Sequence, residues 1–357
     1  MSTDSSAPRA IGRSVPPGPA SFGGAARGAP GSRILGTGSY TPAGRVTNAD
    51  LEKRVDTTDA WITERTGIKE RRIAAPGELT SHMATEAARR ALEKAGIRAA
   101  DLDMIIVGTI SSDMPMPACA AFVQAQLGAG TCPAFDVSAA CAGFLYGLGI
   151  ADRFVRTGGV RYVLVIGVEL LSRIVDWSDR TTCVLFGDGA GAVVIGPTDE
   201  NAPGRGILST HLYTDGSLTA ALQIPGGGSK EPLSAEVLAQ KRHLVKMSGT
   251  DVFRAAVRYL SDASRAALDW NGVTADQVTW VVPHQANLRI VQAVSQRVEI
   301  PMDRFFVNIQ KYGNTSSASV PIALDEAVGE GKIKEGDLVL MCALGAGISW
   351  GSALVRF

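Results

Sequence analysis

The sequence of 357 residues has no excess of charge of either sign. Lysine and arginine together number 35, and aspartate and glutamate also number 35, so the formal net charge is zero. No overall field therefore draws the protein toward nucleic acid or an anionic membrane surface. No apolar run approaches the roughly 20 residues that a membrane-spanning helix needs. We therefore expect neither a nucleic acid nor a membrane as a partner.

Cysteine pairs and metal-binding motifs are also missing. The five cysteines are odd in number and widely spaced, and none forms a CxxC pair. The four histidines stand at no metal-ligand spacing from the cysteines or from one another. This pattern predicts free thiols in a reducing cytoplasm, without a disulfide framework or a zinc site. We expect no metal and no redox cofactor.

The glycine-rich stretches do not match a nucleotide phosphate loop. FGDGAGAV (186–193) and GAGISWG (345–351) contain neither GxGxxG before a helix nor GxxxxGK[ST]. The second stretch follows an apolar, strand-like segment, so its backbone N–H groups are candidates for binding an oxyanion.

The first 32 residues differ in composition from the rest of the chain. They are rich in proline, glycine, serine and alanine, and they lack the apolar core of a secretory signal. Arginine and serine would suit an organelle transit peptide, but the prolines and glycines disfavour an amphipathic helix. We predict a disordered N-terminal extension over 1–32, with folded structure beginning near Arg33.

An internal repeat organises the remaining chain. ALEKAGIRAADLDMIIVGT (91–109) aligns without a gap to ALDWNGVTADQVTWVVPHQ (267–285), at an offset of 267 − 91 = 176 residues. The same offset relates the apolar segments YVLVIG and LVLMCA. The repeat predicts two similar α/β halves, over 33–205 and 206–357.

Apolar strand-like segments alternate with helical patterns in both halves. This order predicts mostly parallel sheets that are covered on both faces. Helices are predicted over 80–94, 252–268 and 320–328. Such sheets bind ligands beyond the carboxyl ends of their strands, which points to Cys141, to His284 and to the loop after LVLMCA.

Cys141 lies in DVSAACAGFLYG, at a predicted turn between a strand and a helix. A free cysteine is often simply a small buried core residue. At a helix start, however, the backbone amides would lower the pKa of the thiol and present N–H groups to an oxyanion. This segment alone leaves both interpretations open, whereas Cys183 and Cys342 lie inside apolar segments and are interpreted as core residues.

His284 and Asn314 are the other candidates for chemistry. His284 ends a predicted strand, and its counterpart at the offset of 176 is Gly108, so the repeat itself does not require an imidazole. Asn314 lies in a turn-forming segment with good N-cap chemistry, which gives it a structural interpretation. It nevertheless lies close to position 317, the counterpart of Cys141. A thiol, an imidazole and a carboxamide that converge would suit acyl-thioester chemistry.

Several motifs together resemble β-ketoacyl-acyl carrier protein synthase III, a family of the thiolase superfamily. They are DVSAACAGF, VVPHQANLRI, YGNTSSAS, LFGDGAGAVV, TTDAWITERTGIKERRIA and the ending GAGISWGSALVRF. The likeness runs from about Ile34 to Phe357. It implies an α/β fold of the thiolase type, a duplicated αβαβα layered structure with mostly parallel mixed sheets.

The resemblance also implies an acyltransferase and its catalytic residues. Cys141 would be the acylated nucleophile, and His284 and Asn314 would stabilise the enolate formed when malonyl carrier protein loses carbon dioxide. The backbone N–H groups of Cys141 and Ala346 would form the oxyanion hole. The implied reaction is the decarboxylative Claisen condensation of an acyl-CoA primer with malonyl-acyl carrier protein, which initiates fatty acid biosynthesis.

Substrate and partner contacts are implied in the same way. Six positions match the coenzyme A site and pantetheine tunnel of the family: Trp61, Arg65, Arg180, Gly249, Phe253 and Asn287. Thr250 departs from the family pattern, in which asparagine is common. Arg254 and Arg289 match positions for docking of the acyl carrier protein. Met116 matches a residue that reaches the acyl pocket of the partner subunit in a homodimer.

Two other functions stay open at this point. One is a related enzyme of secondary metabolism that condenses or transfers an unusual acyl group. The other is a non-catalytic partner that binds acyl-CoA or a carrier protein. The presence of Cys141, His284 and Asn314 together disfavours the second.

Overall fold

Two five-stranded sheets carry most of the strands in the computed structural model, which describes residues 21–22, 31–199 and 204–357. In chain order the strands are β1 (Ser21–Phe22), β2 (Ser32–Tyr40), β3 (Gly44–Thr47), β4 (Glu70–Ile73), β5 (Met104–Gly108), β6 (Ala134–Val137), β7 (Val163–Glu169), β8 (Gly189–Pro197), β9 (Gly206–Thr214), β10 (Leu222–Gln223), β11 (Lys246–Met247), β12 (Trp280–Pro283), β13 (Leu338–Gly345) and β14 (Ser349–Arg356).

The helices lie mainly between these strands. They are α1 (Asn48–Glu52), α2 (Asp59–Thr66), α3 (Thr80–Ala95), α4 (Cys119–Leu127), α5 (Gly143–Arg156), α6 (Ala235–Ala239), α7 (Gly249–Asn271), α8 (Leu288–Val298), α9 (Ile309–Tyr312) and α10 (Ser319–Gly329). The helices predicted over 80–94, 252–268 and 320–328 are confirmed as α3, α7 and α10. None of the helices in the described ranges is long and apolar enough to cross a membrane.

The helices and the two large sheets form five layers. α5 and α10 lie between the sheets, because their apolar side chains contact a core that both sheets share. α3 and α4 cover the outer face of the first sheet, and α7 and α8 cover the outer face of the second. This arrangement confirms the predicted αβαβα layered fold.

Both large sheets are mixed, as predicted, but parallel pairs are not in the majority. The strand order is β2-β8-β7-β5-β6 in the first sheet and β1-β9-β14-β13-β12 in the second. Only β5–β6, β5–β7 and β12–β13 are parallel pairs among these described strands. The prediction of mostly parallel sheets was therefore wrong. An apolar run indicates only that a strand is buried on both faces. The helix layers here bury the antiparallel strands as fully as the parallel ones.

The internal repeat is visible in the element positions. β5 and β12 begin at Met104 and Trp280, and α5 and α10 begin at Gly143 and Ser319, which are both pairs 176 residues apart. The large-sheet strands β2 and β5–β8 precede residue 200, whereas β9 and β12–β14 follow residue 204. We propose that the two halves of the chain meet between residues 205 and 206.

Two residues of the segment predicted as an N-terminal extension lie in the described part of the chain. Ser21 and Phe22 form β1, which pairs antiparallel with the edge strand β9, and β2 already begins at Ser32. An edge strand offers unpaired backbone groups, which explains how a two-residue segment adds to it. The rest of the predicted extension, 1–20 and 23–30, lies outside the described residues.

Close backbone approaches fix the middle layer against the first sheet. A Cβ atom at Gly108, the last residue of β5, would lie 2.5 Å from the carbonyl carbon of Gly143, at the start of α5. A Cβ atom at Gly167, in β7, would overlap the carbonyl oxygen of Ser317, just before α10. Both glycines are therefore required by close packing, and Gly108 could not be replaced by a histidine like its counterpart His284.

We predict that Gly167→Ala lowers the free energy of unfolding by about 1–3 kcal/mol, because the new methyl group meets backbone that cannot move aside. The measurement is the urea midpoint and melting temperature of purified protein. Gly329→Ala is the matched control, since Gly329 ends α10 with open space around it; its stability should be unchanged or rise by up to about 1 kcal/mol. Equal midpoints for the two variants would contradict the packing argument.

Candidate active site

The segment 314–319, which leads into α10, contains Asn314 and contacts Cys141 and His284. Asn314 belongs to this turn, and the Ser316 side chain hydrogen-bonds the thiol of Cys141. Ser319, the first residue of α10, hydrogen-bonds Nδ1 of His284 at 2.5 Å. The structure therefore gathers the predicted thiol, imidazole and carboxamide around one short segment.

Cys141 lies in a 3₁₀ turn, Ala140–Ala142, that leads directly into α5. It is buried, and burial raises the pKa of its thiol to about 12. A lowered pKa was expected from the helix start, so this expectation was wrong. Desolvation disfavours the thiolate more strongly than the hydrogen bond to Ser316 favours it.

His284 follows the last residue of β12, and its backbone N–H donates to the carbonyl of Cys342 at 2.7 Å. The described residues offer the Ser319 hydroxyl no acceptor besides Nδ1, so this hydroxyl donates to Nδ1 and the ring proton lies on Nε2. Burial lowers the pKa of His284 to about 3. The imidazole is therefore neutral near pH 7 and is a hydrogen-bond donor through Nε2.

Asn314 is fixed through both its backbone and its side chain. Its N–H donates to the carbonyl of Leu185 at 2.9 Å, and its carbonyl accepts from Gly187 at 3.0 Å. Its Oδ1 accepts from the backbone N–H of Ser316 at 2.8 Å. Nδ2 finds no acceptor in the described part of the chain, and so this amide nitrogen is available as a donor.

Three non-glycine residues around the site have left-handed backbone conformations. They are Ala140 (φ 46°), Ser316 (φ 51°) and Ile348 (φ 43°), one in each of three loops. Such conformations cost free energy and persist where the surrounding structure imposes them. Their concentration next to Cys141, Asn314 and the end of β13 marks this region as a functional site.

The end of β13 packs against the backbone of Cys141. A Cβ atom at Gly345 would lie 2.5 Å from the Cys141 backbone nitrogen. Ala346, the predicted second oxyanion donor, follows directly in the 3₁₀ turn Ala346–Ile348. The structure therefore brings the loop with Ala346 to the turn that contains Cys141.

Comparison with known proteins decides the family. The family models named 3-oxoacyl-[acyl-carrier-protein (ACP)] synthase III and its C-terminal part match residues 135–216 and 268–357. A β-ketoacyl-[acyl-carrier-protein] synthase III from Caldanaerobacter subterraneus subsp. tengcongensis is 52% identical over 324 residues, which cover 91% of this chain and 97% of that relative. The chain belongs to the β-ketoacyl-acyl carrier protein synthase III family. It is thus a condensing acyltransferase, as the sequence predicted.

Solved structures agree with this assignment. The crystal structure of 3-oxoacyl-[acyl-carrier-protein] synthase III from Aquifex aeolicus VF5 is 49% identical, with a TM-score of 0.84, and covers 92% of this chain and all of that one. The priming β-ketosynthase of the R1128 polyketide biosynthetic pathway is 39% identical, also with a TM-score of 0.84, and the match covers 92% of this chain and 97% of that one.

A second cluster of predicted residues lies on α2 and its neighbours in this synthase III chain. The Arg65 guanidinium lies 5.1 Å from the centre of the Trp61 ring, and that of Arg180 lies 5.5 Å from it. Asn287 caps α8 and donates from Nδ2 to the carbonyl of Arg65 at 3.0 Å. Arg180 also hydrogen-bonds the Asp56 carbonyl at 2.8 Å. An aromatic face and two exposed cations are thereby held together.

The remaining predicted residues lie at the surface or at its margin. Gly249, Phe253 and Arg254 lie in the first turns of α7, where Phe253 is half-buried and the other two are exposed. Arg289 is exposed in the first turn of α8. Met116 is 84% exposed, so it is not part of the buried cluster around Cys141 in its own chain.

Sequence reasoning missed three residues of the buried cluster. Ser316 was included only in the turn-forming segment around Asn314, and Ser319 and Glu169 were not considered. The signal for Glu169 was a single acid at the end of the apolar strand VLVIGVE. Among the described residues, no group of three or more His, Cys, Asp or Glu side chains is arranged to hold a metal ion.

We predict that Ser319→Ala lowers the condensation rate about 10–100-fold, because loss of the donor to Nδ1 lets the ring proton leave Nε2. The measurement is steady-state condensation with saturating substrates, with circular dichroism to verify folding. Ser261→Ala removes another buried hydroxyl, one bonded only within α7, and should keep the wild-type rate. A Ser319→Ala enzyme with wild-type turnover would contradict the tautomer assignment.

Proposed function

We propose that Cys141 of this synthase is the acylated nucleophile and that His284 and Asn314 are its enolate-stabilising donors. The observation that carries this proposal is the single turn, 314–319, that contacts the thiol, the imidazole and the carboxamide. The substrates in this proposal are an acyl-CoA and malonyl-acyl carrier protein, and the reaction initiates fatty acid biosynthesis.

The first step transfers the acyl group to the enzyme. The Cys141 sulfur attacks the acyl-CoA carbonyl, the thioester bond to coenzyme A breaks, and free coenzyme A leaves. The backbone N–H groups of Cys141 and Ala346 would bind the oxyanion, since the end of β13 abuts the Cys141 amide. Two oriented N–H donors in a buried site are effective because they need no reorganisation during the reaction.

The second step forms the new carbon–carbon bond. Malonyl carrier protein loses carbon dioxide, and the enolate carbon attacks the acyl-cysteine to give a β-ketoacyl carrier protein and free Cys141. Nε2–H of His284 and Nδ2–H of Asn314 are both neutral donors, and both would stabilise the enolate oxygen. A neutral imidazole suits this role because it donates without adding a charge to a dry site.

Coenzyme A would bind at the cluster of Trp61, Arg65 and Arg180. The indole face offers a stacking surface for a base, and the exposed guanidinium groups suit phosphate. Gly249, Phe253 and Asn287 would line the pantetheine path between this cluster and Cys141.

The proposed partners are the acyl carrier protein and a second copy of the chain. Arg254 and Arg289 are exposed in the first turns of two helices and would meet the acidic surface of a carrier protein. The loop with Met116 exposes three large apolar side chains, Ile110, Met114 and Met116, which supports a homodimer that buries them. The five free cysteines support a cytoplasmic location.

A second candidate is a priming synthase of a polyketide pathway. The 39% identity to the R1128 priming β-ketosynthase supports it, because that protein has the same fold over nearly its whole length. The two candidates share the acyl-cysteine step and differ in the primer and in the carrier protein that accepts it.

We predict that incubation with acyl-CoAs from acetyl to dodecanoyl gives an acyl adduct that intact-mass spectrometry detects on Cys141. A chase with malonyl-acyl carrier protein should then clear the adduct and give the β-ketoacyl carrier product. The chain length that reacts fastest identifies the primer.

Cys141→Ala is the control for the site and should carry no adduct. An adduct that survives the chase would contradict the condensation step and favour acyl transfer to another acceptor. Absence of any adduct on folded wild-type protein would overturn the proposed role of Cys141.

We predict that Arg180→Ala raises the KM for acyl-CoA about tenfold, because one cation beside the Trp61 ring is lost. The KM for the same acyl group on pantetheine, which lacks the nucleotide, should not change. Arg161→Ala is the matched control, since Arg161 is also an exposed cation, 5.0 Å from the ring centre of Tyr162. An equal increase in the KM for both thioesters would contradict a nucleotide site at Trp61.

A further inference from the structure

Arg71 is a buried cation that the mechanism above does not use. It lies in β4, and its side chain is the largest of those that are fully buried. Burial lowers the pKa of its guanidinium to about 10, so the group still carries its charge at neutral pH. Its hydrogen bonds go to backbone carbonyls and to one side-chain amide instead of to a carboxylate. A charge that is buried in this way is costly, so we asked what the guanidinium holds in place.

The two ends of the guanidinium bind two different segments of the chain. Nη2 donates to the carbonyl of Val184 at 2.7 Å. Nη1 donates to Oδ1 of Asn48 at 2.9 Å and to the carbonyl of Val46 at 3.2 Å. Because the guanidinium is planar and its donors have fixed directions, these bonds fix the distance between the two segments.

The segment from Val184 to Gly187 holds the backbone of Asn314. The N–H of Asn314 donates to the carbonyl of Leu185 at 2.9 Å, and the carbonyl of Asn314 accepts from the N–H of Gly187 at 3.0 Å. These bonds form a short parallel bridge. The carbonyl that Arg71 binds is therefore one residue away from the carbonyl that binds Asn314.

The side-chain stem of Arg71 also packs against both sides of this bridge. A Cβ atom at Gly187 would lie 3.1 Å from Cβ of Arg71, and a Cβ atom at Gly313 would lie 3.3 Å from the same atom. Gly313 directly precedes Asn314 and has a left-handed backbone, with φ 66°. Arg71 thus supports the bridge through direct packing as well as through its hydrogen bond to Val184.

The opposite anchor of the guanidinium is itself fixed. Asn48 is buried, and its Nδ2 donates to the carbonyl of Ile68 at 2.8 Å and to Oδ1 of Asp59 at 2.8 Å. These two bonds set the orientation of the amide, so its Oδ1 faces Arg71. A group that is anchored on one side in this way can hold a neighbouring segment precisely on the other.

We propose that Arg71 is a positioning residue for the Asn314 carboxamide: it holds the segment that fixes the Asn314 backbone and so sets where Nδ2 meets the enolate. The inference rests on the proposed role of Asn314 as an enolate-stabilising donor. A displacement of about 1 Å at a catalytic group can lower a rate about 100-fold. Asn314 acts in condensation and not in acylation of Cys141, so the effect of Arg71 should be confined to condensation.

Arg71→Lys tests this proposal, because it keeps the charge and replaces the planar fork with one ammonium group that cannot bind Val184 and Asn48 in the same geometry. The measurement is a single turnover in two stages, followed by quenched intact-mass spectrometry. In the first stage, saturating acyl-pantetheine loads Cys141. In the second, saturating malonyl-acyl carrier protein removes the acyl group. Neither thioester carries an adenine nucleotide, so changes at the Trp61 cluster do not enter the result.

We expect Arg71→Lys to slow the second stage about 10–100-fold and to leave the loading rate within about threefold of wild type. Asn314→Ala should slow the same stage. Arg71→Lys should add no further loss in the Asn314→Ala background, because it acts through that side chain.

Arg156→Lys is the matched control. The side chain of Arg156 is 9% exposed and also joins two segments, since it donates to the carboxylate of Asp152 and to the carbonyl of Ile207. It lies at the end of α5 that is far from Cys141. Both stages should stay within about twofold of wild type in this variant.

A second stage within about twofold of wild type in Arg71→Lys would overturn the proposal. Equal losses in the two stages would also overturn it, because they would show a general packing role, as would losses that multiply in the double variant. If Arg71→Lys fails to fold, Arg71→Met, which removes the buried charge at similar length, decides the question by the same two stages. A wild-type second stage in Asn314→Ala would instead overturn the proposed role of Asn314, and this proposal with it.

Discussion

The packing of the turn at 140–142 against the turn at 316–318 is the contact on which the rest of the site depends. Each turn leads into one of the two middle helices, and the strands around them approach through glycines at 108, 167 and 345, where a Cβ atom would collide with backbone. Because these contacts are between backbone atoms, they fix the turns closely and leave little freedom to relax. The strained conformations of Ala140 and Ser316 are the local cost of this packing. This packing holds Cys141, His284 and Asn314 together with backbone from both halves of the chain.

This contact also explains how so many polar groups can be buried together. Two serines pair with them: Ser316 of the second turn donates to Glu169, and Ser319, the first residue of α10, hydrogen-bonds His284. A buried polar network is stable only when its members are paired, and a paired network is also rigid. The same bonds that satisfy these groups therefore select the tautomer of His284 and the orientation of the Asn314 amide. The same hydrogen bonds therefore stabilise the buried polar groups and orient their side chains.

Much of the fold was predictable from the sequence, because a duplication leaves a constant offset between matching segments and apolar periodicity marks the helices. The strand directions could not be predicted, because a strand that is buried on both faces shows the same apolar pattern in a parallel and in an antiparallel pair. Cys141, His284 and Asn314 were predicted from the motifs DVSAACAGF, VVPHQANLRI and YGNTSSAS, which resemble those of the family, and the structure brings the three residues together. The burial of Glu169 beside this cluster could not be predicted, because its hydrogen-bond partner Ser316 lies 147 positions away in the sequence. The pKa of Cys141 was misjudged for a related reason: local sequence shows a helix start but not the depth at which the thiol is buried.

The electrostatic character of the site follows from that depth. The donors that we propose for the substrate are neutral: an imidazole whose pKa lies near 3, a carboxamide and backbone N–H groups. In a dry site such donors bind a developing enolate strongly, because no solvent competes and no counter-charge must be moved. A fixed imidazolium would instead stabilise the malonyl carboxylate in the ground state and oppose its loss as carbon dioxide. The carboxylate form of Glu169 raises the pKa of the Cys141 thiol and so disfavours a second anion in the same buried site. The proposed site thus offers hydrogen-bond donors to a developing enolate without a fixed positive charge beside it.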